Sequence, residues 1–272
     1  MNPKISIVVT SLHNLQDVLS LIESINQQTL LPREVVIADS SSSNVIKDSI
    51  LRVSSKVSIA YHRVERAYRF DRLLRFMSSI KILGKFFPKP PLGRAFPYEA
   101  TNAGVKKAAN EWIAFLDAST ISKKSWLRDY WDFLCLHDCD VVFGNTKYFA
   151  ETKFQKLLRA STYGKNGHET APGSIIKKID FLNGHEIMEG VRSEGYLAWK
   201  ENIKTNFKFF SPTSHYLKYS NLPKNIMPTM KKFFIYQIFS SFVNIQHMVK
   251  SVYLGLALIL SLIIVPKSFK ED

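Results

Sequence analysis

Two nearly unbroken β-branched runs, Ile5–Thr10 (ISIVVT) and Val35–Asp39 (VVIAD), constrain this chain more than any other feature. Neither shows the apolar–polar alternation of a half-exposed strand, so each is expected to be buried on both faces of a parallel sheet. Between them, Leu15, Val18, Leu19, Ile22 and Ile25 recur at helical spacing. Asn14 stands where an N-cap belongs, with Asp17 three residues on. The segment therefore reads as strand, helix, strand, the repeating unit of an α/β fold.

In open α/β sheets ligands bind beyond the carboxyl ends of the strands, which places Thr10, Ser11 and Asp39 at the mouth of one crevice. The loop after Asp39, SSSSN, is rich in turn and cap formers. A third strand is expected at residues 57–62. Regular α/β structure resumes with a small-residue helix at 101–110 and a strand in EWIAFLDAST. A helix carrying Trp126, Tyr130 and Leu134 follows, then a buried strand at 140–145. No internal repeat is present.

The chain has 272 residues, 46% of them hydrophobic, enough for one large domain or one domain with an appendage. Lys and Arg total 37 against 23 Asp and Glu, a formal charge of +14. Anionic partners follow: nucleotide phosphates, lipid headgroups or nucleic acid. Aromatic residues do not interleave with basic ones in any RNA-binding module, so nucleic acid is not expected. The two cysteines, Cys135 and Cys139, form no disulfide framework and fit a reducing compartment. The apolar run after Lys4 is too short for a signal peptide, so the bulk of the chain is expected on the cytoplasmic side.

Two segments depart from the α/β rhythm. Residues 64–95 form a basic insertion: Arg66, Arg69, Arg72 and Arg75 sweep around a helix whose Leu73, Met77, Ile80 and Leu83 keep one apolar face. Such a helix meets a membrane surface or polyanion, or packs on the domain by its apolar stripe. Near the carboxyl terminus, residues 233–249 form an amphipathic helix and 251–265 an apolar run of 15 residues. That is short of the roughly 20 needed to span a bilayer, and it is expected to serve as a membrane anchor. The expected organisation is one large α/β domain at 1–222, in which 150–222 is a distinct region, and an anchor at 223–272.

Asp117 lies at the end of an apolar strand and can present a hard oxygen to a metal or sugar. A second carboxylate two residues on would complete a metal-binding pair, but that position holds Ser119. The alternative for Asp117 is a helix N-cap or Asx-turn, since Ser119, Thr120 and Ser122 follow. Cys135, His137 and Cys139 lack a matching second ligand pair for zinc. His168, His185 and His215 are expected to be surface or capping residues.

Taken in order and spacing, KISIVVTSLHN, VVIADSSSS and EATNAGVKKAANEWIAFLDAST with Trp126–Leu127 resemble the family 2 glycosyltransferases. The likeness spans roughly residues 3–145, broken by the basic insertion, and more weakly 171–200. It implies the GT-A fold: a mostly parallel sheet flanked by helices, here with a membrane-associated carboxyl-terminal segment. It also implies residue roles. Thr10 and Ser11 would border the nucleotide, Asp39 would accept hydrogen bonds from the base, and Asn102 and Gly104 would lie near the diphosphate, with Thr101 where the family carries arginine. Asp117 would be the first aspartate of the Asp-x-Asp motif, holding Mg²⁺ or Mn²⁺. APGSIIKKIDFLNGHEI resembles the segment lining the acceptor side. Many members then carry a Glu-Asp pair whose aspartate is the base; this chain has Glu194 and Gly195.

Inverting transfer needs a base to take the acceptor hydroxyl's proton and a positive group to stabilise the departing nucleoside diphosphate. Glu194 is the expected base, Glu186 and Glu189 being reserves, and basic side chains of the insertion can assist the leaving group. A solvated charge at a helix start is the other role open to Glu194. The expected function is a membrane-associated, hexosyltransferase-type enzyme moving sugar from a nucleotide-sugar donor to a glycan or lipid-linked acceptor, as in polysaccharide or cell-envelope synthesis. A catalytically silent GT-A domain acting as a membrane-bound scaffold is the alternative.

Overall fold

The computed structural model describes residues 3–65, 95, 97–148, 155–156, 168–187, 193–212 and 217–219. The basic insertion, apart from its ends, and the expected anchor at 223–272 lie outside the described residues, as do Glu189 and His215. Among the described residues no helix is long and apolar enough to cross a membrane. The chain divides into two compact units, residues 1–146 with 169–219 and residues 147–168 with 220–272. Every element that follows belongs to the first, save the ends of two strands.

Strand β1 (Ile5–Ser11) pairs in parallel with β2 (Glu34–Asp39) and β4 (Trp112–Asp117), and β2 pairs in parallel with β3 (Ser58–Arg63). Helix α1 (Leu15–Asn26) makes the first crossover, as its apolar spacing requires, and buries Val18, Leu21, Ile22 and Ile25. Asn14 does not cap it through its side chain; Nδ2 donates instead to Asp17 Oδ2 at 2.6 Å, while the Asn14 carbonyl accepts the first helical bond from Val18. A six-residue helix α2 (Val45–Ile50) follows the serine loop, whose sequence carries turn and cap formers but no helical period after them. Helix α3 (Pro97–Lys107) begins at a proline, whose missing N–H costs nothing in a first turn, and so starts earlier than the small-residue pattern predicts.

Past β4, the chain makes a two-residue strand β5 (Thr120–Ile121), helix α4 (Trp126–Leu136) and strand β6 (Val141–Tyr148). Strand β7 (His168–Lys177) then inserts antiparallel beside β4, followed by helices α5 (Lys178–Leu182) and α6 (Ser193–Asn206) and short strands β8 (Phe209–Phe210) and β9 (Leu217–Tyr219). The sheet runs β3-β2-β1-β4-β7-β6-β9-β5, with β8 beside β6. It is a mostly parallel, mixed α/β sheet.

Both faces are covered, which is why the strand sequences show no alternation. Ile7, Val9, Val35, Ile37 and Leu116 pack with α1, α2 and α4 on one face. Val8, Val36, Ile113 and Phe115 pack with Val105 of α3, Phe181 of α5 and Trp199 of α6 on the other. Close approach of α3 depends on Gly104: a Cβ there would lie 2.5 Å from Val8 Cγ1 and 3.2 Å from Ala38 Cβ.

Candidate functional site

Four parallel strands end at one edge, and their register fixes what stands there. Thr10 is level with Asp117, Ser11 with Asp39, and Asp39 with Arg63. Neighbouring strands lie about 4.8 Å apart, so Asp39 and Asp117, on either side of β1, are separated by roughly 10 Å along the edge. The pleat turns them to different faces. Asp39 follows Val35 and Ile37 toward the α1–α2 side, whereas Asp117 follows Phe115 toward the α3 side, with the end of β1 between them. A ligand touching both must therefore lie across the edge.

Asp39 is fully buried and its carboxylate is organised by neighbours. Oδ1 accepts from the Ser41 N–H at 3.1 Å and the Ser41 hydroxyl at 2.6 Å, and Oδ2 accepts from the Tyr61 hydroxyl at 2.9 Å. Burial, reinforced by the Asp39 charge, pushes the Tyr61 phenol up to about 12. The His13 N–H donates to Ser41 Oγ at 2.7 Å, tying the loops after β1 and β2 together, and His13 itself takes a φ of 54°. Arg63 Nη2 donates to the Ser43 carbonyl at 2.7 Å. No motif in the local sequence marks Tyr61, Ser41 or Arg63 as site residues. The period-2 spacing of Tyr61 and Arg63 at the end of a third strand was the available signal.

Two rim hydroxyls, Ser11 Oγ and Ser40 Oγ, are buried and have no hydrogen-bond partner among the described residues. Leaving such a group unpaired costs about 1–3 kcal/mol, which a polar ligand placed over the strand ends would recover.

On the other face, Thr10 Oγ1 donates to Asp117 Oδ1 at 2.6 Å, and the Asp117 N–H donates to Thr120 Oγ1 at 3.3 Å. These bonds place Asp117 in a strand-to-strand turn leading to β5, so it does not cap a helix. Ser119 is buried beside it at 6% exposure. Asn102, also buried, clasps the Ile187 backbone: Nδ2 donates to the carbonyl at 2.8 Å and Oδ1 accepts from the N–H at 3.2 Å. The missing side chain of Gly104 faces Val8 and Ala38. Thr101 donates to the Pro97 carbonyl within α3.

Glu194 falls in the first turn of α6, and its side chain lies outside the described residues. Glu186 is ion-paired with Lys106 at 3.1 Å. Among the described residues no group of three or more His, Cys, Asp and Glu is arranged to hold a metal. That includes Cys135, His137 and Cys139: Cys135 is exposed, Cys139 is buried, and His137 stacks on Phe210 at 3.8 Å. Asp117 supplies one hard oxygen donor, which fits a cation whose other ligands come from a diphosphate and water.

Comparison with known proteins adds to this geometry. Residues 94–192 match the family model described as Glycosyl transferase family 2. The matched stretch holds Asn102, Gly104, Asp117 and Ser119 and ends just before Glu194. No curated protein matches the chain. Among solved structures, TarS 1-349 of S. aureus in complex with UDP-GlcNAc is similar at 15% identity and TM-score 0.55, over 83% of this chain and 61% of that one. The mannosyltransferase PcManGT of Pyrobaculum calidifontis, in complex with GDP-Man and Mn²⁺, is similar at 14% identity and TM-score 0.58, over 93% of this chain and 65% of that one. The chain thus spans less than two thirds of either structure. At these identities the likeness establishes the fold, which is GT-A-like, and the family match agrees with the resemblance carried by the strand-end motifs.

Proposed function

Proceeding from the glycosyl transferase family 2 segment at residues 94–192, we propose that this chain transfers a sugar from a nucleoside diphosphate donor to a glycan or lipid-linked acceptor, with inversion. The observation that carries this is the shared edge at which Thr10, Ser11, Asp39 and Asp117 end their parallel strands. Asp39, held by Ser41 and Tyr61, would accept hydrogen bonds from the base. The unpartnered hydroxyls of Ser11 and Ser40 offer hydrogen bonds to the ribose or phosphates. Asp117, oriented by Thr10, would hold Mg²⁺ or Mn²⁺ together with the diphosphate. A divalent cation bound there supplies positive charge against the developing charge of the leaving group. Glu194 is the proposed base, taking the acceptor hydroxyl's proton as the oxygen attacks the anomeric carbon.

The carboxyl-terminal segment at 251–265 is proposed to hold the enzyme at the cytoplasmic side of a membrane, where an amphiphilic acceptor would be met. The test is turnover: purified protein with a panel of nucleotide sugars, Mg²⁺ or Mn²⁺, and lipid-linked or oligosaccharide acceptors. Donor-dependent transfer that is lost in Glu194→Gln supports the proposal, and failure to bind any nucleoside diphosphate rejects it.

A second reading is a silent GT-A domain that binds donor without transfer. Ser119 in place of a second carboxylate and Gly195 in place of the usual base favour it. Donor binding unchanged in Glu194→Gln, with no transfer by either protein, would select it.

A further inference from the structure

We propose that the opposite edge of the sheet, where the parallel strands begin, is a docking face for an anionic lipid bilayer. This deepens the proposal of membrane association and rests on it, but it needs neither the carboxyl-terminal segment nor the donor chemistry.

Lys4 precedes β1, Arg33 precedes β2, and Lys178 follows β7, which runs antiparallel to β4. All three therefore emerge at the amino-end edge, where they line a cavity of about 680 Å³ with Ile179 and Glu111. None of the ion pairs formed among the described residues engages these three cations. The acid next to Arg33 is already occupied. Glu34 Oε1 accepts from the Ser6 hydroxyl at 2.6 Å, the Ala109 N–H at 2.6 Å and Asn110 Nδ2 at 3.2 Å. Among the described residues Lys178 gives one of its three ammonium protons to the Ala108 carbonyl at 2.6 Å, and the ammonium has no other hydrogen-bond partner. Of the cavity's lining residues, Glu111 alone is acidic, so the cavity carries a net positive charge.

Charge alone would suit any polyanion. Two exposed aliphatic side chains decide between them. Ile179, on the cavity wall, is 58% exposed, and Leu31, in the loop that delivers Arg33, is 39% exposed. Lys124 joins that loop, its carbonyl accepting from the Thr29 N–H at 2.8 Å. A soluble polyanion neutralises the cations but gains nothing from two solvated aliphatics. A bilayer interface takes both, headgroup phosphates meeting the cations while Leu31 and Ile179 enter the acyl boundary. This orientation turns the edge bearing Asp39 and Asp117 away from the lipid and open to an aqueous donor.

The test is co-sedimentation of the full chain with phosphatidylcholine vesicles with and without phosphatidylglycerol. The expected result is tighter binding to the anionic vesicles. Combined Lys4→Glu and Arg33→Glu, which spare the Lys178 hydrogen bond, lower that binding about 100-fold and leave binding to neutral vesicles and to UDP unchanged. Neutral-vesicle binding reports the carboxyl-terminal segment, and UDP binding reports the fold and donor site, so failure of either is distinguishable from failure of the docking face. Ile179→Trp supplies a second measurement, its added fluorescence quenched by brominated phosphatidylglycerol. Equal binding of parent and double variant to anionic vesicles would overturn the proposal. So would an Ile179→Trp signal that brominated lipid leaves unquenched, or displacement of the chain from vesicles by inorganic polyphosphate with Ile179→Ser behaving as the parent.

Discussion

Thr10 on β1 and Asp117 on β4 are joined by a 2.6 Å hydrogen bond between residues 107 positions apart in sequence. The bond fixes which face of β4 the carboxylate keeps and ties it to the end of β1. Replacing Thr10 by valine keeps the shape and removes the donor, at a cost of about 1 kcal/mol in stability. The expected functional effect is larger. With the Thr10 hydrogen bond gone, Mn²⁺-dependent UDP binding falls about tenfold, while Asp117→Asn lowers turnover about 100-fold. Calorimetric titration of UDP with and without Mn²⁺ measures the first effect and donor turnover the second.

Ser119 offers the opposite experiment. Ser119→Asp restores two carboxylates two residues apart, the arrangement a divalent cation bridging phosphate oxygens favours. Manganese affinity in the presence of UDP is expected to rise about tenfold, and folding stability to fall because the site is buried. Electron paramagnetic resonance of free Mn²⁺ reads the affinity directly. No gain in affinity would show that Ser119 lies away from the cation.

Gly104→Ala tests packing separately from chemistry. The added Cβ meets Val8 Cγ1 at 2.5 Å and Ala38 Cβ at 3.2 Å, so α3 must move away from β1 and β2. The expected destabilisation is about 1–3 kcal/mol by urea denaturation. Because α3 carries Asn102, whose amide clasps Ile187, UDP binding is also expected to weaken.

Glu169 carries a pH prediction. Burial alone would raise its carboxyl, but hydrogen bonds from Lys204, Ser211 and Lys200 and the charge of Lys204 more than offset this and hold it below its ordinary value of 4.5. A carboxyl depressed by folding contributes stability above the unfolded pKa, and that contribution is lost as pH falls through the folded pKa. The parent protein is therefore expected to lose stability more steeply than Glu169→Gln below about pH 4.5. Thermal melts between neutral and acid pH check the sign, and equal slopes would contradict it.

The parallel half of the sheet was legible because its strands are buried on both faces, so Ile5–Thr10 and Val35–Asp39 could be little else. Boundaries were less so. Asn14 is a cap-type residue, yet its side-chain oxygen accepts no helix N–H and its Nδ2 donates to the Asp17 carboxylate. The α2 helix is too short for a periodic signal, and α3 begins at Pro97 ahead of its apolar pattern. At the site, Asp39 and Asp117 stand out as carboxylates ending apolar runs, although an Asx-turn or helix cap uses the same residue type. Their supports do not: Tyr61 and Ser41 reach Asp39 only through strand register and a loop turn. Asn102 reads as a ligand contact in the motif, but its amide hydrogen-bonds the Ile187 backbone, 85 residues away, a pairing local sequence does not reveal.

The central claim is that one nucleotide lies across the carboxyl edge of β1, held on one side by Asp39 and on the other by Asp117. Calorimetric titration of UDP and GDP into the parent, Asp39→Ala, Asp117→Asn and the double variant measures it. The account predicts binding by the parent with at least one nucleotide, a loss of at least tenfold in each single variant, and no detectable binding in the double variant. Nucleotide binding of parent strength in the double variant would contradict it.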